Sequence, residues 1–227
     1  MPPRDAREFF HGYAVEFSDI YGGGRTPWSR LINRVFRVSM RLRFERSLQS
    51  CQPVADKSIL DVGCGPGHYV VALAQAGARR VVGVDSAPAM IELSRERALR
   101  AGVAHLCEFH CVPLEQFHTG ERFDHAICMG LVEYLASPRP AIASILGMTR
   151  QSAVFSLPDR RGFLAWQRRV RYRFKTHLHM YSEEEVAALF AGLPGVGGFR
   201  IERLRRDFFV TALVGPGTPE SPADGGA

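Results

Sequence analysis

Residues Asp61 to Tyr69 read DVGCGPGHY. The apolar run SILDV, 58–62, leads into glycines at 63, 65 and 67, and a helical pattern starts near residue 68. Glycine lets the backbone approach a ligand and adopt dihedrals closed to other residues, and the following helix offers unpaired N–H groups. Strand, glycine loop and helix in this order fit a nucleotide-type loop. Taken alone, they also fit a tight turn that holds nothing.

The flanking sequence extends the pattern. Further apolar runs are RVVGV at 80–84, LCEFHC at 106–111, FDHAICM at 123–129 and SAVFSL at 152–157, with helices expected near 68–76, 87–100 and 138–149. FRIERLRRDFFVTALV at 199–214 adds two runs suited to an antiparallel closing pair. Such alternation predicts an α/β fold: a doubly wound, mostly parallel seven-stranded sheet covered on both faces. Right-handed crossovers put the loops after the strands along one edge, where ligands bind.

Three segments stand outside this repeat. Residues 1–50 are expected to form an N-terminal helical cap or lid: a YGGGRTP link at Tyr21–Pro27 precedes a helix over Ser29–Gln49, with Leu31, Val35, Val38 and Leu42 at helical spacing beside an arginine stripe. Within the main domain, 51–214, the insertion PDRRGFLAWQRRVRYRFKTHLHMY at 158–181 precedes the final helix and strands. Ser182 is the expected N-cap of that helix, with Glu185 three residues on. Residues 215–227 have the composition of a flexible tail.

The 227 residues, 46% hydrophobic, suffice for one sizeable core but hardly for two. A net charge of +6, concentrated in arginine clusters at 30–46 and 160–175, weakly favours an acidic or phosphorylated partner. Five cysteines with no signal-peptide pattern read as reduced thiols of a cytoplasmic protein, and no apolar run reaches spanning length. His105, Cys107, His110 and Cys111 resemble a metal cluster only superficially, because strand alternation turns His110 away from both thiols; no metal is expected. The amphipathic N-terminal helix fits a monomer or a homodimer.

A dinucleotide loop calls for G-x-G-x-x-G. Counting from Gly63 the third position is His68, and counting from Gly65 it is Val70, so neither register complies. A nucleoside without phosphates fits better. Asp61 suits a cationic amino-acid portion, and Asp85, at the end of the next strand, is placed to bind both hydroxyls of a ribose.

ILDVGCGPGHYVVALA at 59–74, VVGVDSAPAMIELSRERA at 81–98 and FDHAICMGLVEYL at 123–135 together resemble the class I S-adenosylmethionine-dependent methyltransferases, strongly over 57–157. The resemblance implies S-adenosyl-L-methionine as cofactor. Its methionine part would lie along Asp61, Gly63, Cys64, Gly65 and Gly67 beside Met129 and Gly130, its ribose on Asp85 next to Ser86, and its adenine under Met90. Met90 also suits the helix–sheet core. Pro113 stands where the family often has an Asp near the adenine, leaving that edge to the Cys111 and Val112 backbone or to Glu115.

A sulfonium methyl is already electrophilic, so the protein mainly aligns an acceptor, excludes water and removes a proton where needed. Tyr134 and Glu133 follow the CMGL segment and are candidates for orienting the acceptor and taking a proton, or for scaffolding. His179 is a further candidate base, with His177, Tyr21 and Trp28 as substrate contacts. The leading expectation is methylation of a small metabolite on O, N or C. RYRFK at 171–175 keeps RNA or protein open as substrates, and a non-catalytic binding role remains a third reading.

Overall fold

The computed structural model of the chain describes residues 27–161 and 178–215, with backbone alone for 27–37. One sheet of seven strands has the order β3-β2-β1-β4-β5-β7-β6. The strands are β1 (Ser58–Val62), β2 (Arg80–Asp85), β3 (Cys107–Cys111), β4 (Phe123–Met129), β5 (Thr149–Pro158), β6 (Val196–Leu204) and β7 (Asp207–Val214). β1 to β5 pair in parallel, whereas β7 runs antiparallel to both β5 and β6. This is the sheet the sequence predicts.

Every residue of β1 is buried, which is why it reads as a continuous apolar run rather than an alternating one. Alternate side chains feed two cores. Leu60, Val62, Val82 and Val84 pack with α4 (Pro138–Gly147) and α5 (Glu183–Phe190) through Ile142, Ile145, Val186 and Phe190. Ile59, Val81 and Ile127 pack on the other face with α2 (His68–Gln75) and α3 (Pro88–Arg100) through Val70, Leu73, Ile91 and Ala98. The chain winds outward from β1 to β3 and then returns to β4, so the carboxyl ends of β1 and β4 flank the switch point where such sheets bind ligands.

Element boundaries shift by a few residues. Helix α1 covers Pro27–Ser50, two residues earlier than expected, because proline at a first helical position has no N–H to lose. β5 starts at Thr149 rather than 152, pairing with Phe123 across a register shift, and α4 accordingly stops at Gly147. Ser182 caps α5 as expected, its hydroxyl accepting from Glu185 N while the Glu185 carboxylate accepts from Ser182 N, an arrangement worth about 1 kcal/mol.

The buried face of α1 differs from the expected apolar stripe. From residue 38 onward, Val38 and Leu42 are half-buried, whereas Ser39 and Ser47 are buried with Arg43 between them. Small serines four residues on either side of Arg43 let the helix come close to the sheet. Ser47 Oγ donates to the Arg43 carbonyl at 2.8 Å. An arginine is thereby carried inward.

Both ends of the insertion are fixed at the carboxyl edge. Tyr181 N donates to the Pro158 carbonyl and Arg160 N to the Tyr181 carbonyl, each at 2.9 Å. Residues 1–26, 162–177 and 216–227 lie outside the described residues, and with them Tyr21, His177, the YGGG link, most of the insertion and the tail. The Trp28 side chain does too.

Candidate active site

Gly63, Gly65 and Gly67 all adopt positive φ, at 73°, 52° and 75°. The glycine needed for close helix packing is Gly67. A Cβ there would sit 3.0 Å from Ser94 Cβ and 3.1 Å from Ser94 Cα, so α3 touches the loop backbone directly. Neither dinucleotide register has Gly67 as its third, helix-packing glycine, which explains why that pattern fails here. Ser94 Oγ donates to the Gly65 carbonyl at 2.7 Å, and Arg97 Nε to the Pro66 carbonyl at 2.8 Å, holding the loop from behind. At Gly65 nothing lies within 4 Å of a Cβ position, leaving this side of the backbone open. His68, half-buried, is driven down to about 4 by burial and by the Arg97 charge, so it is neutral at physiological pH.

Two carboxylates face this loop in different states. Asp85 is half-buried and accepts from Gly65 N at 3.0 Å and Ala87 N at 2.8 Å. Burial raises its pKa against the opposing bonds from Ala87, Gly65 and Ser86. Asp61 is 1% exposed, and neither carboxylate oxygen has a hydrogen-bond partner among the described residues. Burial, then the charge of Asp85, pushes Asp61 up to about 8. An unpaired buried carboxylate is costly, and it is the kind of group a cationic ligand satisfies.

Met90 is 2% exposed and forms a small apolar cluster with Ala87, Ala89 and Leu93, separate from the two main cores. Cys64 is buried beside the loop, its thiol pushed well up by burial and then by Asp61 and Asp85. At the end of β3, Cys111 is exposed and Val112 half-buried; Pro113 is extended (φ −60°, ψ 150°) and starts a 3-10 turn in which Glu115 points to solvent. Among the described residues no three His, Cys, Asp or Glu side chains form a metal-binding group. Within the superficial cluster, His110 instead meets Glu108 at 2.7 Å.

The facing wall is assembled from distant stretches. Met129 is buried at the end of β4, and Gly130 (φ 76°) donates its N–H to Ser156 Oγ at 2.9 Å. Arg43 Nη1 donates to the same hydroxyl at 3.3 Å. Arg43 Nη1 and Glu133 Oε1 lie 3.6 and 3.9 Å from a Cβ position on Gly130, so a side chain there would press on both. Burial works against the Arg43 charge, yet Tyr69, Asp207 and Glu133 hold its pKa above the ordinary value. Glu133 is 2% exposed, Tyr134 half-buried and His179 exposed. His179 N donates to the Glu133 carbonyl at 2.9 Å, and its ring stands edge-on to Tyr181 at 4.4 Å. Tyr134, Glu133 and His179 thus share one edge. Arg43 enters this group unannounced: it sits in a helix, and no local spacing marks it.

Residues 59–152 match the model of a methyltransferase domain family. The whole fold superposes on magnesium protoporphyrin IX methyltransferase from Synechocystis, solved with bound SAH, with a TM-score of 0.74 over 92% of this chain and 98% of that one, at 18% identity. The fold is that of the class I S-adenosylmethionine-dependent methyltransferases. Two curated relatives match the central part of the chain. A ubiquinone biosynthesis O-methyltransferase from Bordetella avium is 31% identical over 48% of this chain and 45% of its own length. A tRNA U34 carboxymethyltransferase from a Shewanella species is 33% identical over 42% of this chain and 29% of its own. The chain thus spans less than half the length of either. The crevice residues suit S-adenosyl-L-methionine: neither Asp61 oxygen has a hydrogen-bond partner among the described residues, the Gly65 backbone is open, and Asp85 ends β2 with its carboxylate on the loop amide.

Proposed function

We propose that this protein transfers the methyl group of S-adenosyl-L-methionine to an oxygen, nitrogen or carbon of a small organic metabolite. The observation that carries the cofactor assignment is the Asp61 carboxylate, buried and unpaired beside an open glycine loop. Its charge complements the ammonium of the cofactor's amino-acid portion. Arg43, across the crevice and with its Nε free of hydrogen bonds to the described residues, complements the carboxylate of the same portion.

When bound, the cofactor supplies a sulfonium methyl that needs no further activation. The chain's own residues then bind, orient and exclude water. Asp85 takes the ribose hydroxyls while keeping its bonds to the loop amides, and Gly63, Gly65 and Gly67 set the loop's path. Met90 contributes an apolar surface for the adenine, with the Cys111 and Val112 backbone at its edge in place of the carboxylate that Pro113 precludes. Tyr134 orients the acceptor. His179, exposed and edge-on to Tyr181, is placed to take a proton from an acceptor that must lose one. Glu133, being buried, serves more naturally by holding the His179 backbone and facing Arg43.

RNA is the second reading, favoured by the Shewanella relative, whose identity rivals that of the ubiquinone-pathway enzyme. One experiment separates the two: the purified chain is incubated with S-adenosyl-L-methionine and either a metabolite library or total RNA, with product masses recorded. A methylated metabolite supports the proposal. Methylated RNA, with association that weakens steeply as salt rises, replaces it. Calorimetry showing no affinity for S-adenosylhomocysteine would remove the cofactor assignment altogether.

A further inference from the structure

Ser156 lies near the carboxyl end of β5, two residues beyond Val154, so both side chains point to the sheet face that packs under α2 and α3. Its register neighbours on that face, Met129 of β4 and Phe209 of β7, are buried and apolar. A hydroxyl in such surroundings, 2% exposed, is costly unless it is bonded. Ser156 Oγ accepts twice, from Gly130 N at 2.9 Å and from Arg43 Nη1 at 3.3 Å. Among the described residues this is the one side-chain hydrogen bond of Arg43. A single oxygen therefore joins β5, the turn leaving β4 and α1.

The register also relates this junction to Asp61. Asp61 pairs with Ile127 and Ile127 with Val154, and Ser156 follows two residues further toward the carboxyl edge. Asp61 and Ser156 thus share a face, with about 10 Å between their strands. An amino-acid portion lying across the end of β4 would present its ammonium to Asp61 and its carboxylate to the arginine above Ser156.

We propose that Ser156 is a positioning residue, its hydroxyl holding the Arg43 guanidinium against the Gly130 turn, where it meets the carboxylate of the cofactor's amino-acid portion. This rests on the cofactor reading above. A guanidinium is a planar fork of donors on a long chain, and it recognises a carboxylate well only when its plane is fixed. Glu133 Oε1 approaches the same turn, 3.9 Å from a Cβ position on Gly130 where Arg43 Nη1 is at 3.6 Å. Without the hydroxyl, that carboxylate draws the guanidinium to itself.

The test is Ser156→Ala, which removes only the hydroxyl. Calorimetry compares S-adenosylhomocysteine with 5′-methylthioadenosine, a similar nucleoside thioether without the amino-acid portion. The variant is expected to bind the first about tenfold more weakly and the second within about twofold of the unmodified chain. Adding Ser156→Ala to Arg43→Met is expected to cause no further loss. Should Ser156→Ala not fold, Ser156→Cys, close in shape but with a weak acceptor, is read by the same selective loss. Equal weakening of both ligands, no weakening of either, or a further loss in the double variant overturns the proposal and leaves the cofactor reading standing. If the unmodified chain binds neither nucleoside, the cofactor reading fails and takes this proposal with it.

Discussion

The two sides of the crevice are built in opposite ways. The side running from β1 through the glycine loop to the end of β2 comes from one stretch, residues 58–85, and acts mainly through backbone: positive-φ glycines, amides bonded to Asp85, and a helix touching the loop at Gly67. The side around Gly130 and Ser156 takes Arg43 from α1, Glu133 and Tyr134 from after β4, and His179 from the end of the insertion. Backbone geometry tolerates little variation, because a Cβ or a changed φ cannot be relaxed locally. Side chains gathered from several elements can be exchanged while the fold stands. The first side therefore suits an unvarying ligand, and the second suits a variable acceptor.

The largest effect is expected on the backbone side. Gly67→Ala combines a positive φ with contacts at 3.0–3.1 Å to Ser94, one of them to backbone. Destabilisation of about 3 kcal/mol is expected in urea unfolding, with loss of cofactor binding. A variant as stable as the parent would show that this loop is more pliable than the contrast requires.

Asp61→Asn comes next, and it separates stability from binding. With its pKa raised from 3.8 to about 8, the folded, unliganded chain keeps a proton that the unfolded chain releases. This group's contribution to stability is full below 3.8 and is lost as pH rises toward about 8. Asn removes that slope, so the unliganded variant is expected to match or exceed the parent's thermal midpoint at pH 8. Its affinity for S-adenosylhomocysteine is expected to fall about 100-fold, since a charge-assisted contact is lost. In the parent, binding at pH 6 should release about one proton as Asp61 ionises against the ligand's ammonium; calorimetry in buffers of different ionisation enthalpy measures it. Absence of any proton release would mean that Asp61 stays neutral in the complex.

On the other side, Tyr134→Phe is expected to leave cofactor affinity within about twofold and to lower kcat/KM for the acceptor about tenfold. An equal loss of cofactor affinity would dissolve the distinction between the two sides.

How much of this was legible in the sequence follows from the same contrast. The buried parallel strands announce themselves as continuous apolar runs, and DVGCGPGHY with Asp85 carries the backbone side in contiguous order. Asp61 and Asp85 were both singled out, but not that one is hydrogen-bonded and the other orphaned, since that depends on where the loop amides point. The other side was only half legible. Tyr134 and Glu133 follow β4 directly, whereas Arg43 lay hidden in an arginine-rich helix where, from residue 38 on, Ser39 and Ser47 are more buried than Val38 and Leu42. Periodicity finds faces that are apolar. The stripe of Ser39, Arg43 and Ser47 is polar, and the bond of Arg43 to Ser156 gives it a target.

The smallest expected effect tests whether α1 owes its place to that stripe. Arg46, three residues from Arg43, pairs with Glu202 of β6 at 2.5 Å, but both side chains are partly exposed, at 40% and 35%. Such a pair is screened by solvent and salt, so a double-mutant cycle over Arg46→Ala and Glu202→Ala should give about 0.5 kcal/mol or less, vanishing at high salt. Arg43→Met should cost more, because it removes a cation that bonds the buried Ser156 and acts on the buried Glu133. If instead the Arg46 cycle proved the larger, α1 would be held by its outer rim. The arginine in the crevice would then be a passenger on the helix, and the second side of the site would lose the element that reaches the cofactor.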